Sequence, residues 1–329
     1  MESVRHMLEG ISRMEHGEWL AALCHFDRAV ELRETLHWRG NVESAWLLAA
    51  AWINRSDVLR QLEETAEAIR SLERAIEAMS YVPLADNPGY VSRLVLAWIN
   101  HATACGEAHR FDESLASFAR AHGLLDMWGG AVSPERKLLA SMLEVNRARV
   151  LLELGRPIQA WREARMGVER LRDLEQVEPV KAAAIKARGV LCRALATLLD
   201  EPGGTDLAED WIARATDAAE EALALVRASS YRGAWVADLL RYGARIYRIC
   251  QPHFLGEYLC EWLAADGLLS GNETLKQEMC HELMLARYDL ELRVRQSPHL
   301  TDRVEREMAT LLSLQVAETA LAGKAVPQA

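Results

Sequence analysis

The sequence predicts an all-α fold, a right-handed solenoid of about seven antiparallel helix pairs. The tetrapeptide AWIN at residues 51–54 returns unchanged at 97–100, an offset of 46 residues, since 97 − 51 = 46. The same offset relates two further sets of residues: Asn54, Asn100 and Asn146, and Ala22, Ala68, Ser114 and Ala160. Helical repeats of roughly 20 to 50 residues are typical of solenoids, in which each unit buries its apolar face on its neighbours.

Composition agrees with this fold and excludes other classes. Apolar residues make up 50% of the 329 residues, enough for a sizeable core. The formal net charge of −10 disfavours a nucleic-acid partner, because phosphate binding requires a basic stripe. No apolar run approaches the ~18 residues of a membrane span, and the N-terminus lacks a signal-peptide pattern. The six cysteines are widely spaced, so we expect them to be reduced in a cytoplasmic protein.

Helix boundaries follow from glycine, proline and cap residues. Gly17 separates the first helix, at residues 2–15, from the second, at residues 18–36. Ser133 followed by Pro134 predicts an N-cap and a first helical position. The next six helices are predicted at residues 42–62, 64–80, 89–107, 111–125, 134–154 and around 160–167. One helix is predicted from residue 179 to a turn at 201–205, and another begins at residue 208. The last four are predicted at residues 230–250, 253–269, 272–295 and 301–320.

Small and aromatic residues recur at fixed places in these helix pairs. Gly10, Gly17, Ala22, Phe26 and Ala29 stand where the tetratricopeptide repeat (TPR) family has small residues and one aromatic. The chain therefore resembles that family. The repeat of 46 residues is longer than the common TPR unit of roughly 34, and so it is more similar to the long repeats of kinesin light chains and MalT-like regulators.

Repeat quality divides the chain into three predicted parts. Residues 1–229 carry recognisable TPR-like columns. Residues 230–322 are predicted to form degenerate helical hairpins and a capping helix, because their residues fit the small-residue columns poorly. Residues 323–329 are predicted to form a disordered tail.

The asparagine column is the candidate binding site. In TPR proteins the first helix of each pair, helix A, lines a concave groove, and an asparagine there often bonds the backbone of a bound peptide. The resemblance implies a peptide-binding groove formed by Asn54, Asn100, Asn146, Asp57, Arg60, Thr103 and Arg149. An amide both donates and accepts, which suits an extended chain. The alternative is that each asparagine bonds a neighbouring helix inside the solenoid.

A second polar column lies beside the first. It consists of Arg55, His101, Arg147 and Arg193, at a position where TPR proteins usually have a packed leucine. A guanidinium can hold a partner carboxylate through two hydrogen bonds, but it can equally pair with an acid inside the protein. Among the ten tryptophans, Trp128 precedes two glycines in a predicted turn, and we expect its ring to be exposed.

No motif for catalysis is present. The sequence contains no HExxH, GxSxG or P-loop pattern and no GxGxxG after a strand. We therefore expect no enzymatic activity, no cofactor and no metal. The sequence favours a scaffold that binds a protein or peptide segment in its groove, as an adaptor, co-chaperone or regulator, in an oligomeric state that is left open. The alternative is a MalT-like or Rap-like module that senses a small ligand or peptide by changing its superhelical pitch.

Overall fold

The computed structural model describes most of the chain and confirms the all-α, TPR-like fold class. The described residues are 2–36, 38–82, 88–128, 132–200, 209–229, 234–264, 272–296, 310, 313–315, 317 and 321. They form thirteen α-helices and one short 3₁₀ helix, with no strand among them. No helix in this part of the chain is long and apolar enough to cross a membrane. The predicted turn at 201–205, most of the helix at 301–320 and the tail at 323–329 lie outside the described residues.

The chain divides into two compact units, Met1–Gly155 and Arg156–Ala329. The first unit contains seven helices: α1 (Glu2–Glu15), α2 (Trp19–Glu34), α3 (Val42–Gln61), α4 (Thr65–Met79), α5 (Pro88–Glu107), α6 (Phe111–Met127) and α7 (Pro134–Glu153). Helices α1 and α2, α3 and α4, and α5 and α6 pack as pairs, and each pair packs on the next. Their ends lie within a few residues of the predicted ones. The division predicted near residue 229 concerns repeat quality and stays a prediction.

One turn geometry recurs between helices A and B. Gly17, Glu63, His109 and Gly155, each 46 residues apart, have positive φ angles of 74°, 62°, 57° and 65°. In the second and third turns the next amide bonds back to the helix, from Glu64 N to the Leu59 oxygen at 2.9 Å and from Arg110 N to the Cys105 oxygen at 2.8 Å. This bond is typical of a Schellman motif at a helix C-terminus. The turn therefore keeps its shape whether or not a glycine occupies it.

In the first unit the small-residue column lies where helix A meets helix B, the second helix of each pair. Ala22, Ala68 and Ser114 are all 0% exposed there, and Ala160 in the second unit is 0% exposed as well. The Ser114 hydroxyl donates to the Ala102 carbonyl at 2.6 Å, so a polar member of the column has a partner on the facing helix. Gly10 is needed for close packing, because a Cβ there would lie 2.7 Å from the Phe26 ring. The column sets the spacing within each pair.

The second unit contains six α-helices: α8 (Pro157–Leu171), α9 (Glu178–Asp200), α10 (Glu209–Arg227), α11 (Ala234–Cys250), α12 (Leu255–Ala264) and α13 (Glu273–Gln296), with a 3₁₀ helix (Pro252–Phe254) before α12. Helix α9 packs against α8, α10 and α11, and helix α11 packs against α10, α12 and α13. Tyr247 and Tyr258 stack with ring centroids 4.4 Å apart.

The predicted helix cap at Ser133 is confirmed, and the predicted exposure of Trp128 is not. Ser133 caps α7 as predicted, since its hydroxyl accepts the Arg136 N–H at 3.2 Å. The expected exposure of Trp128 is wrong. The ring is only 8% exposed because it packs with Phe118 and Leu139 in the core between α5, α6 and α7. Glycines after a tryptophan indicate a turn in the backbone, but they do not determine which way the ring points.

Candidate functional site

The predicted groove residues lie on three A helices of the first unit. Helix α5 packs against both α3 and α7, so equivalent positions on the three helices form a row. Asn54, Asp57 and Arg60 lie on α3, Asn100 and Thr103 on α5, and Asn146 and Arg149 on α7. We refer to these seven residues as the A-helix row.

Two polar contacts connect α3 to α5 within the row. Asn100 is 8% exposed, and its amide donates to an Asp57 carboxylate oxygen at 3.1 Å. Arg60 donates to both carboxylate oxygens of Glu107, at 2.9 and 2.5 Å. Asn100 therefore bonds a neighbouring helix inside the solenoid, which was the alternative to binding a peptide. This bond also positions the Asp57 carboxylate.

The side chain of Asp57 has a raised pKa. Burial raises its pKa from the usual 3.8 to about 6, and the nearby charge of Arg60 only partly opposes this. Asp57 as a whole residue is nevertheless only partly buried. A charged group that is poorly solvated but accessible gains more than a surface group from a partner of opposite charge. Asp57 is thus a candidate to bind a basic side chain of a partner.

A cleft of about 180 Å³ lies between α5 and α7. Its lining includes three predicted residues, Thr103, Asn146 and Arg149, and five others: Gly106, Glu107, His109, Val150 and Glu153. A Cβ on Gly106 would lie 2.8 Å from a Val150 methyl carbon. The glycine therefore allows α5 and α7 to approach closely at the base of this cleft.

The cleft combines both charges with hydrogen-bonding groups. Arg149 supplies a cation, while Glu107 and Glu153 supply carboxylates. The Thr103 hydroxyl donates to the Ile99 carbonyl at 2.8 Å, which leaves its oxygen lone pairs as acceptors. Asn146 is 5% exposed, so only a small part of it faces the cleft. Such a lining can bind the amides of a peptide and side chains of either charge.

Arg55 and His101 of the second polar column bond other residues of the first unit, within a helix pair and, for Arg55, also to the preceding pair. Arg55 donates to Asp27 and to the Ser71 hydroxyl, both at 2.6 Å. The His101 ring bonds the Ser117 hydroxyl at 2.9 Å. The serines stand 16 residues after Arg55 and His101, so the same A-to-B contact occurs in two successive repeats. Internal pairing, one of the two interpretations left open by the sequence, thus holds for both. Arg147 and Arg193 lie partly buried in α7 and α9.

The sequence interpretation missed the three other ionisable residues of the cleft: Glu107, His109 and Glu153. A signal for two of them was present, because Glu107 and Glu153 are separated by the same 46 residues as the asparagines. No comparable sequence signal indicated His109. It lines the cleft because it occupies the left-handed turn position between helices A and B.

Comparisons with known proteins concern the fold. The sequence matches no protein-family profile and no curated protein. The crystal structure of the apo form of RapI is similar, with a TM-score of 0.53 at 12% identity, covering 98% of this chain and 100% of RapI. A Rap protein complexed with competence and sporulation factor has a TM-score of 0.49 at 15% identity, covering 98% of this chain and 76% of that chain. This chain has a TPR-like helical-repeat fold.

Proposed function

We propose that this protein is a regulatory module that binds an extended peptide segment along the A-helix row, with the cleft between α5 and α7 as the main subsite. The observation that carries the proposal is the cleft itself. It gathers Thr103, Asn146 and Arg149, which sequence periodicity assigns to one face of successive helices, around a single concavity.

The lining favours a peptide that carries both charges. An extended backbone presents alternating N–H and C=O groups, which match the carboxylates and hydroxyl on one side and Arg149 on the other. A basic side chain of the peptide would gain from Asp57, whose carboxylate is poorly solvated. The buried Val150 provides an apolar floor for a small side chain. A uniformly acidic segment would meet Glu107 and Glu153 and is disfavoured.

The contacts between repeats favour a function as a sensor over that of a passive scaffold. The Asn100–Asp57 and Arg60–Glu107 bonds each connect A helices of successive helix pairs. A peptide that competes for these side chains changes the contacts that hold neighbouring pairs together. We therefore infer that peptide binding alters the spacing of the pairs. A change in the radius of gyration in solution on adding a selected peptide tests this part of the proposal.

Peptide binding is tested by selection from a displayed library of random linear peptides against the purified full chain. We expect enriched sequences that combine basic and acidic residues, and we expect Arg149→Ala to lose at least about tenfold in affinity for them, since a charged hydrogen bond contributes roughly 1.5 to 3 kcal/mol. Arg5→Ala is the matched control, because Arg5 is exposed on α1.

Two results would contradict the proposal. One is a library that yields no peptide dependent on the A-helix row, with selected peptides binding the Arg149→Ala and wild-type proteins equally. The other is an equal loss of affinity in the Arg5→Ala control. Thermal unfolding of both variants verifies that any loss of binding is not caused by loss of the fold.

A further inference from the structure

Three buried N–H donors without hydrogen-bond partners converge on the start of α3. They are the Nε atoms of Arg33 and Arg93 and the indole Nε1 of Trp46. Arg33, at the end of α2, donates through Nη1 to the Leu47 carbonyl at 2.5 Å. Arg93, on α5, places its guanidinium carbon 4.1 Å from the centre of the Trp46 ring. Three elements thus bring two cations and an indole to one place.

These groups cannot satisfy one another. Guanidinium and indole N–H groups are donors only, so each needs an acceptor from elsewhere. Among the residues that the structure describes, no carboxylate forms an ion pair with Arg33 or Arg93. Buried polar groups in native proteins are almost always paired, and an unpaired one calls for an explanation such as a bound ion. The three N–H groups therefore lack acceptors, and the two guanidiniums have no counter-charge among the described residues.

The buried positive charges of Arg33 and Arg93 also favour a bound anion. Arg33 is 3% exposed, and burial lowers the pKa of its guanidinium, with a further lowering from the charge of Arg93. Burial also lowers the pKa of Arg93. Desolvation of a cation without a counter-charge is strongly unfavourable, whereas a bound anion offsets it. Arg93 and Trp46 are only partly buried as whole residues, so this side of the cluster is the one nearest to solvent.

We propose that Arg33, Arg93 and Trp46 bind a tetrahedral oxyanion of the phosphate class, either free phosphate or a phosphoryl group on a partner. Two guanidiniums match the two negative charges of a phosphate dianion, and donors from three helices match its several oxygens. This site lies at the start of α3 and is separate from the cleft between α5 and α7. Its failure would leave the peptide proposal standing, and the reverse is also true.

The test is thermal unfolding of the full chain in about 10 mM sodium phosphate and in sodium chloride of equal ionic strength. For the wild-type protein we expect phosphate to raise the unfolding midpoint by roughly 2 to 5 °C, because a ligand that binds only the folded state stabilises it. Sodium sulfate should act in the same direction. Sodium acetate, with a single charge and a planar carboxylate, should have a much smaller effect.

Two variants separate the site from general salt effects. Arg93→Met removes one charge, and we expect it to lose most of the phosphate-dependent shift while melting no lower than wild type in chloride. Trp46→Phe keeps a ring beneath Arg93 and removes only the indole N–H, and we expect an intermediate shift. Arg5→Met is the matched control, since Arg5 is an exposed arginine on α1, and it should keep the full shift.

Calorimetric titration with phosphate and with the peptide acetyl-Gly-phosphoSer-Gly-amide distinguishes the two sources. Tighter binding of the peptide assigns the phosphoryl group to a partner, and tighter binding of phosphate assigns it to the free ion. The proposal is overturned if phosphate gives no shift beyond that of chloride. It is also overturned if Arg93→Met keeps the wild-type shift, or if acetate stabilises the protein as much as phosphate does.

Discussion

The two compact units pack their helices by different means. In the first unit, small residues at one repeated position, such as Ala22 and Ala68, allow helices A and B to approach, and one turn geometry recurs every 46 residues. In the second unit, individual charged and aromatic pairs add to a core of buried alanines and leucines. Arg188 pairs with Glu175 at 2.7 Å, and Tyr258 packs so closely on Gly243 that a Cβ there would lie 1.9 Å from its hydroxyl.

This difference explains why the candidate groove lies in the first unit. A repeated small-residue contact gives successive pairs the same spacing, so equivalent A-helix residues fall into a row. The contacts of Arg188 with Glu175 and Glu221 depend on these individual side chains, and they impose no common spacing on the neighbouring helices. We therefore expect the stability of the first unit to depend on repeated backbone geometry and that of the second on individual ion pairs.

The largest effect is expected in the second unit, from Arg188→Met. Arg188 is almost fully buried, and its partner Glu175 has a side chain only 14% exposed. Removal of one member of a buried ion pair leaves an uncompensated charge and costs roughly 3 to 5 kcal/mol. Urea unfolding checks this value, with Arg5→Met as the surface control. A loss below about 1 kcal/mol would mean that packing, rather than this pair, holds α9 in place.

A smaller loss is expected in the first unit from Ala68→Leu. Ala68 is fully buried between helices, and the added carbons overpack the contact at a cost of about 1 to 3 kcal/mol. Ala66→Leu is the matched control, because Ala66 is exposed on the same helix. Equal denaturation midpoints for the two variants would show that the small-residue column does not set the spacing of the pair.

The third prediction concerns pH and Asp57. Its pKa is raised from 3.8 to about 6 in the folded protein. Its contribution to stability is therefore fully present below pH 3.8 and is lost as the pH rises through about 6. Asp57→Asn, which keeps an acceptor for Asn100, should be about 1 to 2 kcal/mol more stable than wild type at neutral pH. A difference that does not change between acidic and neutral pH would argue against this assignment.

The smallest effects are expected at the left-handed turns. Glu63 and His109 have φ angles that side chains adopt at a cost, so Glu63→Gly and His109→Gly should each stabilise the protein by up to about 1 kcal/mol. Gly17→Ala should destabilise it by about 1 kcal/mol. A Cβ on Gly17 meets no atom within 4 Å, so this cost is conformational. Calorimetric unfolding measures all three, and opposite signs would show that the turn is not shared.

Periodicity predicted the parts of the molecule that repeat. The helix ends, the buried column of Ala22 and Ala68 and the cap at Ser133 follow from local spacing and turn chemistry, which sequence records directly. Periodicity did not predict the contacts between repeats. Whether Asn100 faces a ligand or Asp57 depends on the distance between two helices, and the meeting of Arg33 with Arg93 joins residues 60 positions apart. Sequence spacing carries no signal for such contacts.

The most direct test of the account is hydrogen exchange of the full chain with and without a library-selected peptide. With peptide we expect slower exchange in the second half of α5 and the second half of α7, where Thr103, Asn146 and Arg149 line the cleft. We expect no such slowing in the Arg149→Ala variant at the same peptide concentration. Protection confined to the second unit, or equal in the wild-type and variant proteins, would contradict the assignment of the A-helix row as the binding site.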